Sequence, residues 1–162
     1  MAVYLGSNKV AGSGTNADVS FARVSKTDTV SLTSETTLQN LTRISEMGDY
    51  VCDTTNHRII IKNTTLVQVS GKICGNGYAS IFTKLIEAET GNHIIAGGER
   101  RTIVQFAGNN YWSIGLPTIT VELDPSKTYY LSLSASPYNT DSFHLNSGFE
   151  GNSTWFSALK IK

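Results

Sequence analysis

The residues of this sequence that could take part in catalysis do not have the spacing of any catalytic motif. His57, His93 and His144 are far apart, and each lies in or beside a predicted turn. There is no Gly-x-Ser-x-Gly nucleophile motif and no glycine-rich phosphate loop ahead of a helix. Glu87 and Glu89 lie at a predicted strand end, where a solvated edge explains them better than acid/base chemistry. We therefore predict that the protein is not an enzyme.

The cysteines indicate no metal site. Cys52 and Cys74 are far apart, without a Cys-x-x-Cys motif and without a Cys/His cluster. We predict two buried free thiols, and a disulfide between them remains an alternative. No metal and no other cofactor is expected.

Sugar binding is the recognition chemistry that the loops favour. Asn109, Asn110, Tyr111 and Trp112 are consecutive; an exposed aromatic ring stacks on a sugar face, and amides hydrogen-bond to hydroxyls. Trp112 is equally suited to be a core residue at the start of a strand. A second loop, around Tyr138, is a weaker candidate. Recognition commonly occurs in the loops at one end of a sandwich, so these five residues are predicted to bind a ligand.

Composition excludes several classes of partner. The formal net charge is zero and only 16% of the residues are charged, whereas phosphate binding needs clustered Lys and Arg. No run approaches the roughly 18 apolar residues of a membrane span, and the first residues lack the pattern of a signal peptide. We expect no nucleic acid, no membrane and no export by the usual secretory route. A length of 162 residues suits one domain with a short appendage.

The chain from Gly48 onward has the rhythm of strands and turns. Ile119, Val121 and Leu123 alternate with polar residues, and a turn at residues 124–127 separates them from a second alternating run. About eight short strands at this spacing favour an antiparallel sandwich or barrel. The predicted strands are residues 50–52, 58–62, 66–74, 78–87, 102–106, 117–123, 128–135 and 154–161.

The first 47 residues have a different character. Glycine and polar turn clusters interrupt short apolar pieces, which is typical of an arm that orders on a partner or stays loosely held. Leu38, Leu41 and Ile44 are spaced three apart behind Ser34, a plausible N-cap, and this spacing predicts one or two helical turns. We predict an extended or partly helical attachment arm at residues 1–47 and a head domain at residues 48–162.

Several strands are apolar on both faces. In the closing strand we assign Trp155, Leu159 and Ile161 to the core, which leaves Phe156 on the other face. A large apolar stripe rarely stays open to water, so a subunit interface is expected to cover the second face. The alternatives are a wrong strand register or a covering loop. The interface residues predicted in this way are Tyr78, Phe82, Tyr130 and Phe156.

The order of these elements resembles a known fold. The Val-x-Val-x-Gly strand at residues 67–71, the Gly-Tyr-Ala-Ser-Ile strand at 77–81, the pair at 117–135 and the closing Thr-Trp-Phe-Ser-Ala-Leu-Lys-Ile-Lys resemble the tumour-necrosis-factor-like (TNF-like) jelly roll, which the globular head of complement's first component shares. Residues 4–10 are similar to N-terminal segments of tail, fibre and other virion proteins of bacteriophages. The first resemblance implies an all-β antiparallel jelly roll, usually assembled around a threefold axis, that acts by binding.

Together the two resemblances imply a bacteriophage virion protein. We expect a homotrimeric jelly roll that serves as a fibre, decoration or receptor-binding component in the virion. Its arm would contact other virion proteins, and a host cell-surface glycan is a candidate ligand. The alternative is a bacterial carbohydrate-binding module or surface lectin.

Overall fold

The computed structural model describes residues 4–5, 8–9, 19–26, 30–76, 79–95, 99–100, 112–137, 143–145 and 154–162. Every regular element in these ranges is a β-strand. In the same ranges, no helix is long and apolar enough to cross a membrane. The strands in chain order are β1 (Tyr4–Leu5), β2 (Asn8–Lys9), β3 (Phe21–Lys26), β4 (Val30–Leu32), β5 (Thr36–Thr37), β6 (Leu41–Met47), β7 (Val51–Asp53), β8 (Arg58–Ile61), β9 (Leu66–Asn76), β10 (Ala79–Glu87), β11 (Glu99–Arg100), β12 (Trp112–Glu122), β13 (Tyr129–Pro137), β14 (Phe143–Leu145) and β15 (Trp155–Lys160).

Apart from a small β1–β2 hairpin, these strands form two antiparallel sheets. The six-stranded sheet has the order β11-β10-β13-β8-β7, and β5 pairs with a further stretch of β13. The seven-stranded sheet has the order β4-β14-β9-β15-β3-β6. β12 covers the opposite edge of β9, because the same β9 residues that pair with β15 also pair with β12. The predicted strands agree with these within a few residues, except that 102–106 lies outside the described residues.

One core fills the space between the two sheets. Alternate residues of β13 point inward and are buried. Ile59 and Ile61 of β8 are buried in the same way. From the other sheet, Val67 and Val69 of β9 meet them. Burying each such side chain is worth on the order of 1.5 to 3 kcal/mol, so this double layer accounts for the fold.

The closing strand faces the opposite way from the sequence prediction. Phe156 is only 1% exposed, and the neighbouring inward position, Ala158, is also buried. Trp155 and Leu159 lie on the outward face, and Ile161 is 49% exposed. The predicted core assignment was therefore wrong. Alternation shows which residues share a face, but both faces of this strand are apolar, so it does not show which face meets the core.

The predicted boundary at residue 48 was also wrong. β3 lies between β15 and β6, with Ala22 and Val24 fully buried in the core. Leu38, directly after β5, and Leu41, the first residue of β6, are buried too, and these residues form strands and a connection rather than the predicted helical turns. The sandwich therefore includes residues 19–26 and 30–47. The assignment of residues 1–18 to an arm remains a prediction.

Gly48 joins these early strands to the rest of the sandwich. Its φ of +69° is in the left-handed region, and a Cβ there would lie 2.5 Å from Ser20 Oγ and 2.6 Å from the Val19 carbonyl oxygen. The next residue, Asp49, donates its backbone N–H to Ser20 Oγ at 3.0 Å. This junction needs glycine, because any side chain would be both strained and too close to the backbone.

Candidate binding surfaces

The predicted ligand-binding loops lie mostly beyond the described residues. Asn109, Asn110, Tyr111 and Tyr138 are outside them. Trp112 is described only as the first residue of β12, paired with Gly75 of β9. Sugar binding at these residues therefore remains a prediction.

The predicted interface residues have three different locations. Phe82 and Tyr130 are partly buried on the outward face of the six-stranded sheet, on the neighbouring strands β10 and β13. Tyr78 lies outside the described residues. Phe156 was predicted wrongly: its ring is buried in the core of the single chain, so it presents no surface to a second copy.

An apolar row crosses the outward face of the six-stranded sheet. Val51, Ile60, Tyr130 and Ile86 are directly opposite one another on β7, β8, β13 and β10. Cross-strand neighbours share a face, so these four side chains form one continuous line. Of these four, only Tyr130 is among the interface residues predicted from the sequence, and the other three become its neighbours through the register.

An arginine covers the centre of this row. The Arg58 guanidinium lies 3.6 Å from the centroid of the Tyr130 ring, a cation–π contact. Its Nε donates to Asp53 Oδ2 at 2.9 Å, so the charge is neutralised within the chain. This arginine is held between a ring and an acid and needs no outside partner.

Asp53 also organises the turn between β7 and β8. Its carboxylate accepts hydrogen bonds from the Asn56 backbone N–H at 3.1 Å and from Asn56 Nδ2. Burial alone would raise the pKa of Asp53, but the hydrogen bonds from Asn56 and Arg58, with the Arg58 charge, lower it overall. The turn includes His57 at a φ of +57°.

The outward face of the seven-stranded sheet carries a second arginine on an aromatic ring. The Arg23 guanidinium carbon lies 4.0 Å from the centroid of Trp155. The cross-strand neighbours of Arg23 are Ser45 and Ser157, which are polar but uncharged. Arg23 Nε is buried and has no hydrogen-bond partner. No short sequence motif signals this arrangement, since residues 23 and 155 meet only when β15 pairs with β3.

One end of that same outward face is exposed and apolar. Met47, Phe21 and Leu159 are successive cross-strand neighbours on β6, β3 and β15. Around them, Val19 is 42% exposed, Met47 47% and Ile161 49%. Exposed large apolar side chains that lie together mark interaction surfaces more often than isolated ones do.

The two thiols are buried and free, as predicted. Cys52 lines an open cavity of about 360 Å³ together with residues 41–43 and Thr54. Its Sγ lies 3.4 Å from the Ser45 carbonyl oxygen, and burial, with Glu46 nearby, raises the pKa of Cys52 to about 11. Burial also raises the pKa of Cys74. Both groups are therefore protonated at neutral pH and are poor nucleophiles.

The histidines are not gathered into one site. His57 lies in the β7–β8 turn, His93 is opposite Ile86, and His144 is in β14 of the other sheet. The described part of the chain contains no group of three or more His, Cys, Asp or Glu side chains placed to hold a metal ion.

The strand order and the packed sheets define an all-β antiparallel jelly roll of the TNF-like type, as the sequence predicted. The structure of Eiger TNF from S. frugiperda matches with a TM-score of 0.63 at 9% identity, over 90% of this chain and 94% of that one. Murine APRIL at pH 8.0 matches with a TM-score of 0.58 at 7% identity, over 88% of this chain and 99% of that one. Murine APRIL at pH 5.0 gives 0.60 at 9% identity over the same shares.

At identities this low, the likeness concerns the fold alone. No family model matches the sequence, and no curated protein matches it.

Proposed function

We propose that this chain is a non-catalytic protein that assembles into a homotrimer of jelly rolls and acts by binding. The observation that carries the proposal is the apolar surface outside the core. Val19, Met47 and Ile161 are exposed together at one end of the seven-stranded sheet, and the row through Tyr130 crosses the other sheet. A second copy of the chain would remove such surface from water. TNF-like jelly rolls commonly form homotrimers, which favours three copies.

We further infer that the trimer is a bacteriophage virion component, located in the particle as a fibre, decoration or receptor-binding protein. The similarity of residues 4–10 to N-terminal segments of phage virion proteins supports this placement. Because residues 19–26 and 30–47 belong to the sandwich, attachment to other virion proteins would fall to residues 1–18 rather than to the 47 residues first assigned to the arm.

Light scattering coupled to size exclusion tests the assembly. The expected mass is about three times the 17.6 kDa of one chain at micromolar concentration. A clean monomer under these conditions would contradict the proposed homotrimer.

The virion placement needs a separate test. A variant lacking residues 1–18 should keep the β-rich circular dichroism and the mass of the full chain, but should be missing from purified particles. Mass spectrometry of particles made with each form measures this. Equal amounts of the two forms in the particles would show that residues 1–18 are not the attachment segment, and the absence of both forms would exclude the virion.

A further inference from the structure

Arg23 has a charge that the described chain does not neutralise. It lies between the fully buried Ala22 and Val24, so its side chain points to the outward face of the seven-stranded sheet. There it rests on Trp155, and its Nε is buried without a hydrogen-bond partner. None of the ion pairs among the described residues includes it. Buried charged donors are normally paired, because leaving one unpaired forfeits the hydration it had in water.

Among the described residues, the nearest neighbours of Arg23 on its sheet face carry no carboxylate. The residues opposite Arg23 are Ser157 and Ser45, and those two positions away on its own strand are Phe21 and Ser25. All of them are uncharged. An acidic partner for this guanidinium therefore has to come from farther away than a cross-strand neighbour.

Glu122 is the complementary group on the same face. It pairs with Leu66 next to the buried Val67, so its side chain points outward from β12. Glu122 is exposed, and none of the side-chain hydrogen bonds or ion pairs among the described residues includes its carboxylate. One face thus carries an unpaired base on β3 and an unpaired acid on β12.

These two residues cannot meet within one chain. The order β3-β15-β9-β12 separates them by three strand spacings, which is about 14 Å across the sheet. Their ladder positions differ along the strands as well. A pairing between two copies has no such limit, and it would bury the exposed apolar end of this face at the same time.

We propose that Arg23 of one copy and Glu122 of a second copy form an ion pair, on an interface made by the outward face of the seven-stranded sheet. The inference rests on the proposed self-assembly and specifies its partner surface. Trp155 holds the guanidinium in place beforehand, and the neighbouring apolar side chains exclude water from the pair.

Sedimentation velocity over a concentration series measures the dissociation constant of each variant. Arg23→Gln and Glu122→Gln should each raise it at least about tenfold, since truncating one partner leaves the other charge unpaired. The double reversal Arg23→Glu with Glu122→Arg should recover most of the affinity that either reversal alone loses. Glu122 is exposed, so its variants keep the test valid even if a change at Arg23 disturbs the fold.

Arg58→Gln is the matched control. Arg58 also covers an aromatic ring, but on the other sheet and with an acid in its own chain. Its loss should lower the stability of the chain and change the dissociation constant much less than the loss of Arg23 does, because Asp53 of the same chain neutralises Arg58.

The possible failures are distinguishable. A monomeric wild type would overturn the proposed assembly and the ion pair with it. An assembling wild type whose Arg23 and Glu122 variants associate equally well would overturn the pair alone. An effect at Arg23 without one at Glu122 would also overturn it. So would acetate that raises the melting temperature of the wild type but not of Arg23→Gln, with association unchanged, because Arg23 would then bind a free carboxylate.

Discussion

Gly71 lies directly opposite Phe156 where β9 pairs with β15, on the side that faces the core. A Cβ at Gly71 would come within 3.3 Å of the Phe156 Cβ and within 3.0 Å of both Leu116 Cδ1 and the Trp155 carbonyl oxygen. The absence of a side chain at residue 71 therefore leaves room for Phe156, the ring that the closing strand buries in the core.

Gly71→Val should destabilise the protein by about 1 to 3 kcal/mol, because the added atoms overpack a site bounded partly by backbone. Gly115→Ala is the control: it lies on the neighbouring β12 in an exposed position, and a Cβ there meets nothing within 4 Å. Urea unfolding of the two variants should separate them clearly. Equal midpoints would show that the core relaxes around residue 71.

The facing of β15 is tested by one substitution within the strand, at Phe156, and one directly after it, at Ile161. Phe156→Ala should cost about 3 to 5 kcal/mol, as expected for a fully buried ring. Ile161→Ala, at a residue that is half exposed, should stay within about 0.5 kcal/mol. Thermal and chemical melts of both variants measure the difference. If Ile161 proves to be the costly position, the strand faces the other way.

The pH dependence at the alkaline end follows from Tyr50. Burial raises the pKa of Tyr50 to about 12. The hydrogen bond that joins its hydroxyl to Thr64 Oγ1 at 3.0 Å lowers the pKa, but by less than burial raises it. The unfolded chain loses this proton near pH 10, so the stabilising contribution is complete below about pH 10 and is lost as the pH rises to about 12. Tyr50→Phe should be less stable at pH 8, because it lacks the hydrogen bond, but should lose less stability between pH 10 and 12. Parallel curves for the two proteins would contradict the raised pKa.

At the acid end the corresponding group is Asp53. Its pKa is lowered in the folded chain, so its contribution is present above the unfolded value of about 4 and is lost as the pH falls below it. Asp53→Asn should reduce stability at pH 7, because the ion pair with Arg58 is lost, and should flatten the decline on acidification. Denaturant melts between neutral pH and about pH 3 measure both effects. An unchanged acid decline would mean that other carboxylates dominate it.

The strands that could be predicted correctly from the sequence are those with one clear apolar face. Residues 117–123 and 128–135 alternate cleanly around the Asp124 turn, and they were placed correctly as β12 and β13. The closing strand was predicted, but with its inward and outward faces exchanged. Trp155 and Phe156 are both large and apolar, so alternation does not show which of them faces the core.

Other misses came from tertiary context. The three-residue spacing of Leu38, Leu41 and Ile44 indicated a helix, whereas β5 and β6 gain their hydrogen bonds from β13 and β3, strands that local spacing does not reveal. The sequence does not indicate Arg23 and Glu122 as functional residues, for the same reason. Their significance depends on a shared sheet face and on what each one lacks, and neither is visible in a linear pattern.

The position of β15 also determines when, during synthesis, the sheet that contains it can fold completely. β15 lies between β3 and β9 and pairs with both. The sheet that contains β3 and β9 therefore cannot be completed until residues 155–160 have been synthesised. During synthesis, at roughly 5 to 20 residues per second, two strand edges therefore stay open for several seconds. Open edges pair readily with other chains, so a nascent chain is at greatest risk of aggregation until β15 has been synthesised. A slowly translated or prematurely terminated message should therefore yield insoluble protein rather than a smaller folded domain.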